Sequence, residues 1–284
     1  MTGFVNVNKP SGMSSSKVVT FLKKRFNVKK IGHMGTLDPL AEGVLPIAIG
    51  KATRMFDYFL EKKKTYIAQF TFGKTTDTLD AEGKITETCD YIPSKKQIVD
   101  ALPHLIGRIT QIPPQYSAKK VNGRCAYDFA RIGQTVELKP KEIEIYKIEL
   151  LHQLSDNVYE FEIECSGGTY IRSIARDMAE LLNSKAYMSK LIRTKSGRFE
   201  IEKSYTLQQL EDEKLGNVLV AVEDIFDFKE VKLTEKETKD LLDGKKINID
   251  KNNGKYFIKC GTMLIGIGDI DNSVLKLKTY LKEE

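Results

Sequence analysis

Residues Gly32 to Gly50 read GHMGTLDPLAEGVLPIAIG, and the fold turns on how this stretch divides. Val44 to Ile49 is an apolar run with β-branched members, the pattern of a buried strand, although Pro46 within it predicts an edge position or an irregular start. Upstream, Gly32 and Gly35 permit backbone angles and close approaches that a side chain would resist, and Pro39 biases Asp38 toward an extended conformation. The stretch therefore predicts one carboxylate on a constrained loop, anchored to the core by the strand that follows. On spacing alone, an ordinary Asp-Pro turn is the commoner explanation.

On the N-terminal side, Phe4 to Asn8 alternates as a strand and Lys9-Pro10-Ser11-Gly12 reads as a turn. Ser14, Ser15 or Ser16 can cap a helix in which Val18, Leu22 and Phe26 recur at helical spacing. On the C-terminal side, Ala52 to Leu60 predicts a short helix and Tyr66 to Phe72 a strand, entered through Lys62-Lys63-Lys64-Thr65. Tyr66 reads either as a half-buried strand aromatic or as a ring presented to a flat ligand. The polar loop GKTTDTLDAEG, residues 73–83, invites a calcium reading but lacks the ligand spacing of an EF-hand, so a hydrogen-bonded turn is expected.

Helical periodicity returns from Ser94 to Ile106 and briefly from Ala126 to Ile132, while QIPPQYSAKKVNG between them suits an ordered surface loop. Glu142 to Leu150 and the stretch from Val158 to Cys165 alternate as strands, the second interrupted by Ser166-Gly167-Gly168. Extended structure is expected to resume over Thr169-Tyr170-Ile171-Arg172, so that period two places Tyr170 and Arg172 on one face, with a helix marked by Ile174, Met178 and Leu181 beginning immediately after the arginine. Such a pair can clamp a carboxylate or a base, or be a solvated edge pair. Lys190 to Lys195 is strand-like and basic, and from about Phe228 short strand-like runs predict a small, mostly-β domain.

The composition, 41% hydrophobic and 30% charged over 284 residues, is that of a soluble globular protein of one large and one small domain. No apolar run is long enough to span a bilayer and the N-terminus lacks a signal-peptide pattern, so a cytoplasmic protein is expected. Four scattered cysteines and three histidines suggest neither a disulfide framework nor a zinc cluster, which leaves no metal site expected. Residues 1–64 hold twelve Lys/Arg against four Asp/Glu, a basic surround for Asp38 that can bind a phosphate backbone or be a solvated face.

Taken together, these stretches resemble the TruB family of tRNA pseudouridine synthases. GHMGTLDPLAEGVLP is similar to the family's catalytic-loop signature. KPSGMSS, KTY, GKTTDTLDAEG, PPQYSAKKVNG, CSGGTYIRSIARDM and KLIRTKSG resemble its further blocks in the same order, covering nearly all of residues 1 to about 200. One departure is Gly167, where many members are expected to carry a lysine.

The resemblance implies an α+β fold: a pseudouridine-synthase catalytic domain, residues 1–227, with a central mixed, mainly antiparallel sheet flanked by helices. It implies an RNA-binding insert at about 108–133 and a PUA-type RNA-binding domain at 228–284. It also implies isomerisation of uridine-55 in the T loop of tRNA by base flipping, glycosidic bond cleavage and reattachment through carbon, without a cofactor. Asp38, Tyr66 and Arg172 match the family's catalytic positions: Asp38 as the carboxylate, Arg172 as its partner, and Tyr66 as the ring that stacks on the base. His33 matches the residue that fills the space vacated by the flipped base, and Tyr170, Leu191 and Lys9 fall at substrate-binding positions. The expected partner is the T arm of tRNA, with no membrane and no obligatory protein partner, and the expected state is a monomer. Two rival functions are a tRNA-folding chaperone in which catalysis is secondary and a guide-RNA-dependent synthase within a larger particle. The inserted loop and the lack of a long basic tail fit the stand-alone type.

Overall fold

The structure, a computed structural model, describes residues 1–283 except 118 and 122, with the backbone alone at 120 and 125. Parts of the expected surface loop at 111–123, and the Cys125 thiol, thus lie outside the described residues.

Among the described residues, nine strands form one mixed sheet: β1 (Gly3–Lys9), β2 (Ile31–His33), β3 (Glu42–Ile49), β4 (Lys64–Phe72), β5 (Gly107–Gln111), β6 (Lys141–Ser155), β7 (Val158–Cys165), β8 (Ala186–Ser196) and β9 (Phe199–Glu200). The order is β1-β3-β8-β4-β7-β6-β5, with β2 beside β3 and β9 beside β8. Its pairings are antiparallel except β3 with β8, as expected for a mixed, mainly antiparallel sheet. Since Gly107–Gln111 pairs with β6, the surface excursion begins after Gln111 rather than at 108.

The strand read from Val44 to Ile49 is internal, which corrects the edge position that Pro46 suggested. Phe4, Asn6 and Asn8 turn their backbone groups away from β3, toward Val220 and Tyr205. The facing residues Val44, Pro46 and Ala48 must therefore direct theirs to the opposite side. There β3 changes partner from β8, paired at 42 and 43, to β2, paired from 47. Proline's missing N–H falls in that opening, and its carbonyl accepts from Met34 N at 2.8 Å. The run is continuously apolar because both faces are covered. Leu45, Ile47 and Ile49 join Val5, Val7, Val18 and Leu22 in one cluster, while Val44 and Ala48 join Phe4, Phe59 and Phe199 in another.

Helix α1 (Ser15–Arg25) is capped by Ser14, whose hydroxyl accepts from Lys17 N, and buries Val18 and Leu22. Helix α2 (Lys95–Ala101) starts at Ser94 in a capping box with Gln97. Helix α3 (Ile171–Leu181) begins three residues before Ile174, so Tyr170 is its N-cap and Arg172 lies in its first turn, not on a strand face. No Ser, Thr, Asp or Asn marks that start. Instead the buried side-chain amide of Gln111 clamps Tyr170, its Oε1 accepting from Tyr170 N at 2.8 Å and its Nε2 donating to Tyr170 O at 3.1 Å.

The C-terminal segment forms a second sheet of five strands: β10 (Lys229–Leu233), β11 (Ile247–Asn248), β12 (Gly254–Cys260), β13 (Met263–Asp271) and β14 (Val274–Tyr280), in the order β10-β12-β13-β14-β11. Helix α4 (Glu235–Leu242) packs on it. Phe257, Ile267 and Leu281 bury against Phe59 and Phe226, so this sheet shares a core with the back of the larger one. Among the described residues no helix is long and apolar enough to cross a membrane.

Candidate active site

Asp38 projects from a loop that is tied down at almost every residue. The Ser15 hydroxyl accepts from Leu37 N at 2.9 Å and donates to Leu37 O at 2.8 Å, and Ala41 N closes a turn on Asp38 O at 3.1 Å. The Pro39 carbonyl accepts from both Gly12 N and the Lys9 ammonium. Gly35, with φ of +140°, needs its glycine, whereas Gly32 lies in β2 with room for a side chain, against expectation.

Among the described residues the carboxylate is paired from one side, by Arg172. Oδ2 of Asp38 is 3.0 Å from Nε of Arg172, and the aspartate side chain remains 34% exposed while the arginine is 6% exposed. The guanidinium is itself fixed: Nη1 donates to Thr78 O at 2.9 Å and lies 3.3 Å from Oδ2 of Asp80, and Nη2 donates to Tyr116 O at 3.0 Å. The family resemblance brought Asp38 and Arg172 together, whereas Asp80 was read only as a member of a polar turn. That turn is hydrogen-bonded as expected. Thr76 and Thr78 donate to Asp80, and Asp80 Oδ1 also accepts from Glu82 N. The alternation of Thr76, Thr78 and Asp80 was the available signal for it.

Tyr66 and Leu191 lie on adjacent strands, Ala68 facing Leu191 and Tyr66 facing Arg193. Burial pushes the Tyr66 phenol up to about 12, opposed by the nearby Arg193 cation and assisted by the Asp38 charge. Tyr170 is half-buried, and its phenol is raised first by burial, with Arg172 and Asp38 acting on it in opposite senses. Both phenols thus sense the Asp38 charge, and Tyr170 senses Arg172 as well. His33 is half-buried with Nδ1 unpartnered, and burial followed by Arg193 lowers its pKa, which keeps the ring neutral at pH 7.

Lys9 corrects an expectation. Its ammonium, on a fully buried residue, donates to Pro10 O, Met13 O and Pro39 O at 2.9, 2.5 and 3.1 Å. All three protons are engaged, so it holds the turn against the loop rather than a substrate. Gly167 also acquires a reason: a Cβ there would lie 1.8 Å from the Leu60 carbonyl oxygen, so a lysine at this position requires a different approach of the two backbones.

A family model described as TruB family pseudouridylate synthase (N terminal domain) matches residues 23–171, more than half of the chain. The chain belongs to the TruB family. A model described as tRNA pseudouridylate synthase B C-terminal domain matches residues 172–226, which supply α3, β8 and β9 and so complete the same sheet in this TruB-family protein. The tRNA pseudouridine synthase B of Caldanaerobacter subterraneus is 39% identical over 282 residues, spanning 97% of this chain and 98% of that protein. The protein of the same name from Rickettsia bellii is 40% identical, spanning 95% and 94%. Among solved structures, the crystal structure of a Cbf5-Nop10-Gar1 complex has a TM-score of 0.74 over 98% of this chain and 84% of that one, at 24% identity, a likeness of fold. As a TruB-family member the chain is a pseudouridine synthase, an isomerase.

Proposed function

We propose that this chain converts uridine-55 in the T loop of tRNA to pseudouridine, with Asp38 as its catalytic carboxylate. The observation that carries this reading is the partly exposed Asp38 carboxylate paired at 3.0 Å with a buried arginine whose other nitrogens are held by Thr78, Asp80 and Tyr116. The relatives named tRNA pseudouridine synthase B, aligned over nearly the whole chain, supply the substrate class.

The isomerisation detaches uracil, rotates it and rejoins it through carbon, with no redox change and no phosphoryl transfer, so one positioned carboxylate suffices. Arg172 orients that carboxylate by its ion pair and leaves the other oxygen for the nucleotide. A uridine in a folded T loop must first be flipped, at a cost of a few kcal/mol. Tyr66 stacks on the flipped base, Leu191 and Tyr170 wall the pocket, and His33 fills the vacated space as a neutral ring. The basic excess of residues 1–64 holds the RNA backbone. Residues 1–227 act as the catalytic domain and 228–284 as a PUA-type RNA-binding domain, in a cytoplasmic monomer.

Mapping pseudouridine in unmodified tRNA incubated with the purified protein tests this. Conversion at position 55 without added protein or guide RNA is expected. Conversion elsewhere, or none, overturns it.

A further inference from the structure

A second arginine lies beneath the Asp38 loop. Arg193, on β8, is 1% exposed and directly faces Tyr66 on β4, in the row next to Leu191 and Ala68. Directly opposed residues have Cβ atoms about 5 Å apart and share one face of the sheet. Among the described residues, no ion pair includes Arg193. Its guanidinium serves carbonyls instead: Nε donates to Val44 O at 2.7 Å, Nη2 to Gly35 O at 3.1 Å and Nη1 to Thr36 O at a long 3.4 Å.

This arrangement exploits the opening where β3 changes partner. Between its pairing with β8 at residue 43 and with β2 at residue 47, β3 turns the carbonyls of Val44 and Pro46 into the opening. Met34 takes one and Arg193 takes the other. Gly43 makes the approach possible, because a Cβ there would stand 2.3 Å from Arg193 O. A buried guanidinium without a carboxylate is an expensive filler, since desolvating an ion costs several kcal/mol and an apolar side chain of similar length would not. It is also too deeply buried to meet an RNA phosphate. What it does reach is the backbone two and three residues before Asp38, from a position directly across the strand pair from Tyr66.

We propose that Arg193 is a positioning residue for pseudouridine formation, fixing the backbone from which Asp38 projects and orienting the Tyr66 hydroxyl. A guanidinium has donors and no acceptor, so toward Arg193, which acts to lower the Tyr66 pKa, the phenol can only accept. The planar fork reaches three carbonyls on two chain segments, a task that one ammonium cannot copy. The inference rests on Asp38 and Tyr66 acting as proposed above.

The experiment compares wild type, Arg193→Lys, Arg193→Gln and Asp38→Asn by single-turnover rate at saturating T-arm RNA, RNA affinity, thermal melting and NMR titration of His33. Arg193→Lys is expected to melt cooperatively, bind RNA as wild type does and lose about 100-fold in rate, the effect of a misplacement near 1 Å. Because Arg193 lowers the His33 pKa, that titration is expected to stay low in Arg193→Lys and to rise in Arg193→Gln. Should Arg193→Gln not fold, Arg193→Lys carries the test. An Arg193→Lys variant with wild-type rate, with rate and affinity falling together, or without a cooperative melt overturns the inference. Wild-type activity in Asp38→Asn would instead overturn the assignment of Asp38.

Discussion

Asp80 holds Arg172 from the side opposite Asp38: its Oδ2 lies 3.3 Å from Nη1, and the two side chains are 4% and 6% exposed. Asp38 is thus aimed by an arginine that is itself aimed. Asp80→Asn keeps the shape and the Thr78 contact but weakens the hold. Turnover on T-arm RNA is expected to fall on the order of 100-fold with RNA affinity retained, as for other small losses of orientation. Single-turnover kinetics beside an RNA-binding titration check this, and a wild-type rate contradicts it.

Arg172→Ala removes the partner of both carboxylates. It is expected to lower turnover more than affinity and to cost roughly 3 kcal/mol of stability, because Asp80 is left as a buried charge without its arginine. Urea unfolding measures the second effect. A stability loss below about 1 kcal/mol would indicate that water reaches Asp80 readily once the guanidinium is gone.

How far the sequence carried depended on how local the signals were. The strand after Asp38 and a serine cap among Ser14, Ser15 and Ser16 are written in neighbouring residues; the structure shows the strand and gives the cap to Ser14. The start of α3 was missed because Gln111, 59 residues away, clamps Tyr170 there. Pro46 misled because the opening it faces is formed by the distant strands β8 and β2. Asp80 and Arg193 stood inside recognised blocks, but only the folded chain shows that one braces Arg172 and the other lies under the loop. Lys9 was placed with the substrate because its three carbonyl partners come from turns whose closure no spacing reveals.

With its pKa pushed up to about 12, the Tyr66 phenol stays protonated across the physiological range. Tyr66→Phe is expected to bind RNA as well as wild type and to turn over more slowly, having kept the ring and lost the hydroxyl. Comparison of the two pH-rate profiles from pH 7 to 9 checks the protonation state. A rise present in wild type and absent from the variant would show a phenolate forming in that interval.

Lys64, 6% exposed, has its pKa lowered to about 8, mainly by burial and then by Arg193. The folded-state value lies below the ordinary 10.5, so between about pH 8 and 10.5 the unfolded chain binds more protons and stability rises with pH. Below pH 8 the penalty of the buried ammonium is fully present. Lys64→Met is therefore expected to be more stable than wild type at pH 7, with the difference shrinking through this window. Urea unfolding at pH 7, 8, 9 and 10 gives the two curves. Parallel curves contradict the assignment.

The central claim is that Asp38 performs the chemistry, and tritium release from T-arm RNA labelled at uracil C5 tests it most directly. In Asp38→Asn, release is expected to vanish while tRNA binding stays near wild type, because the loop's hydrogen bonds run through backbone groups, Ser15 and Lys9 rather than through the carboxylate. Release at the wild-type rate in that variant would contradict the account.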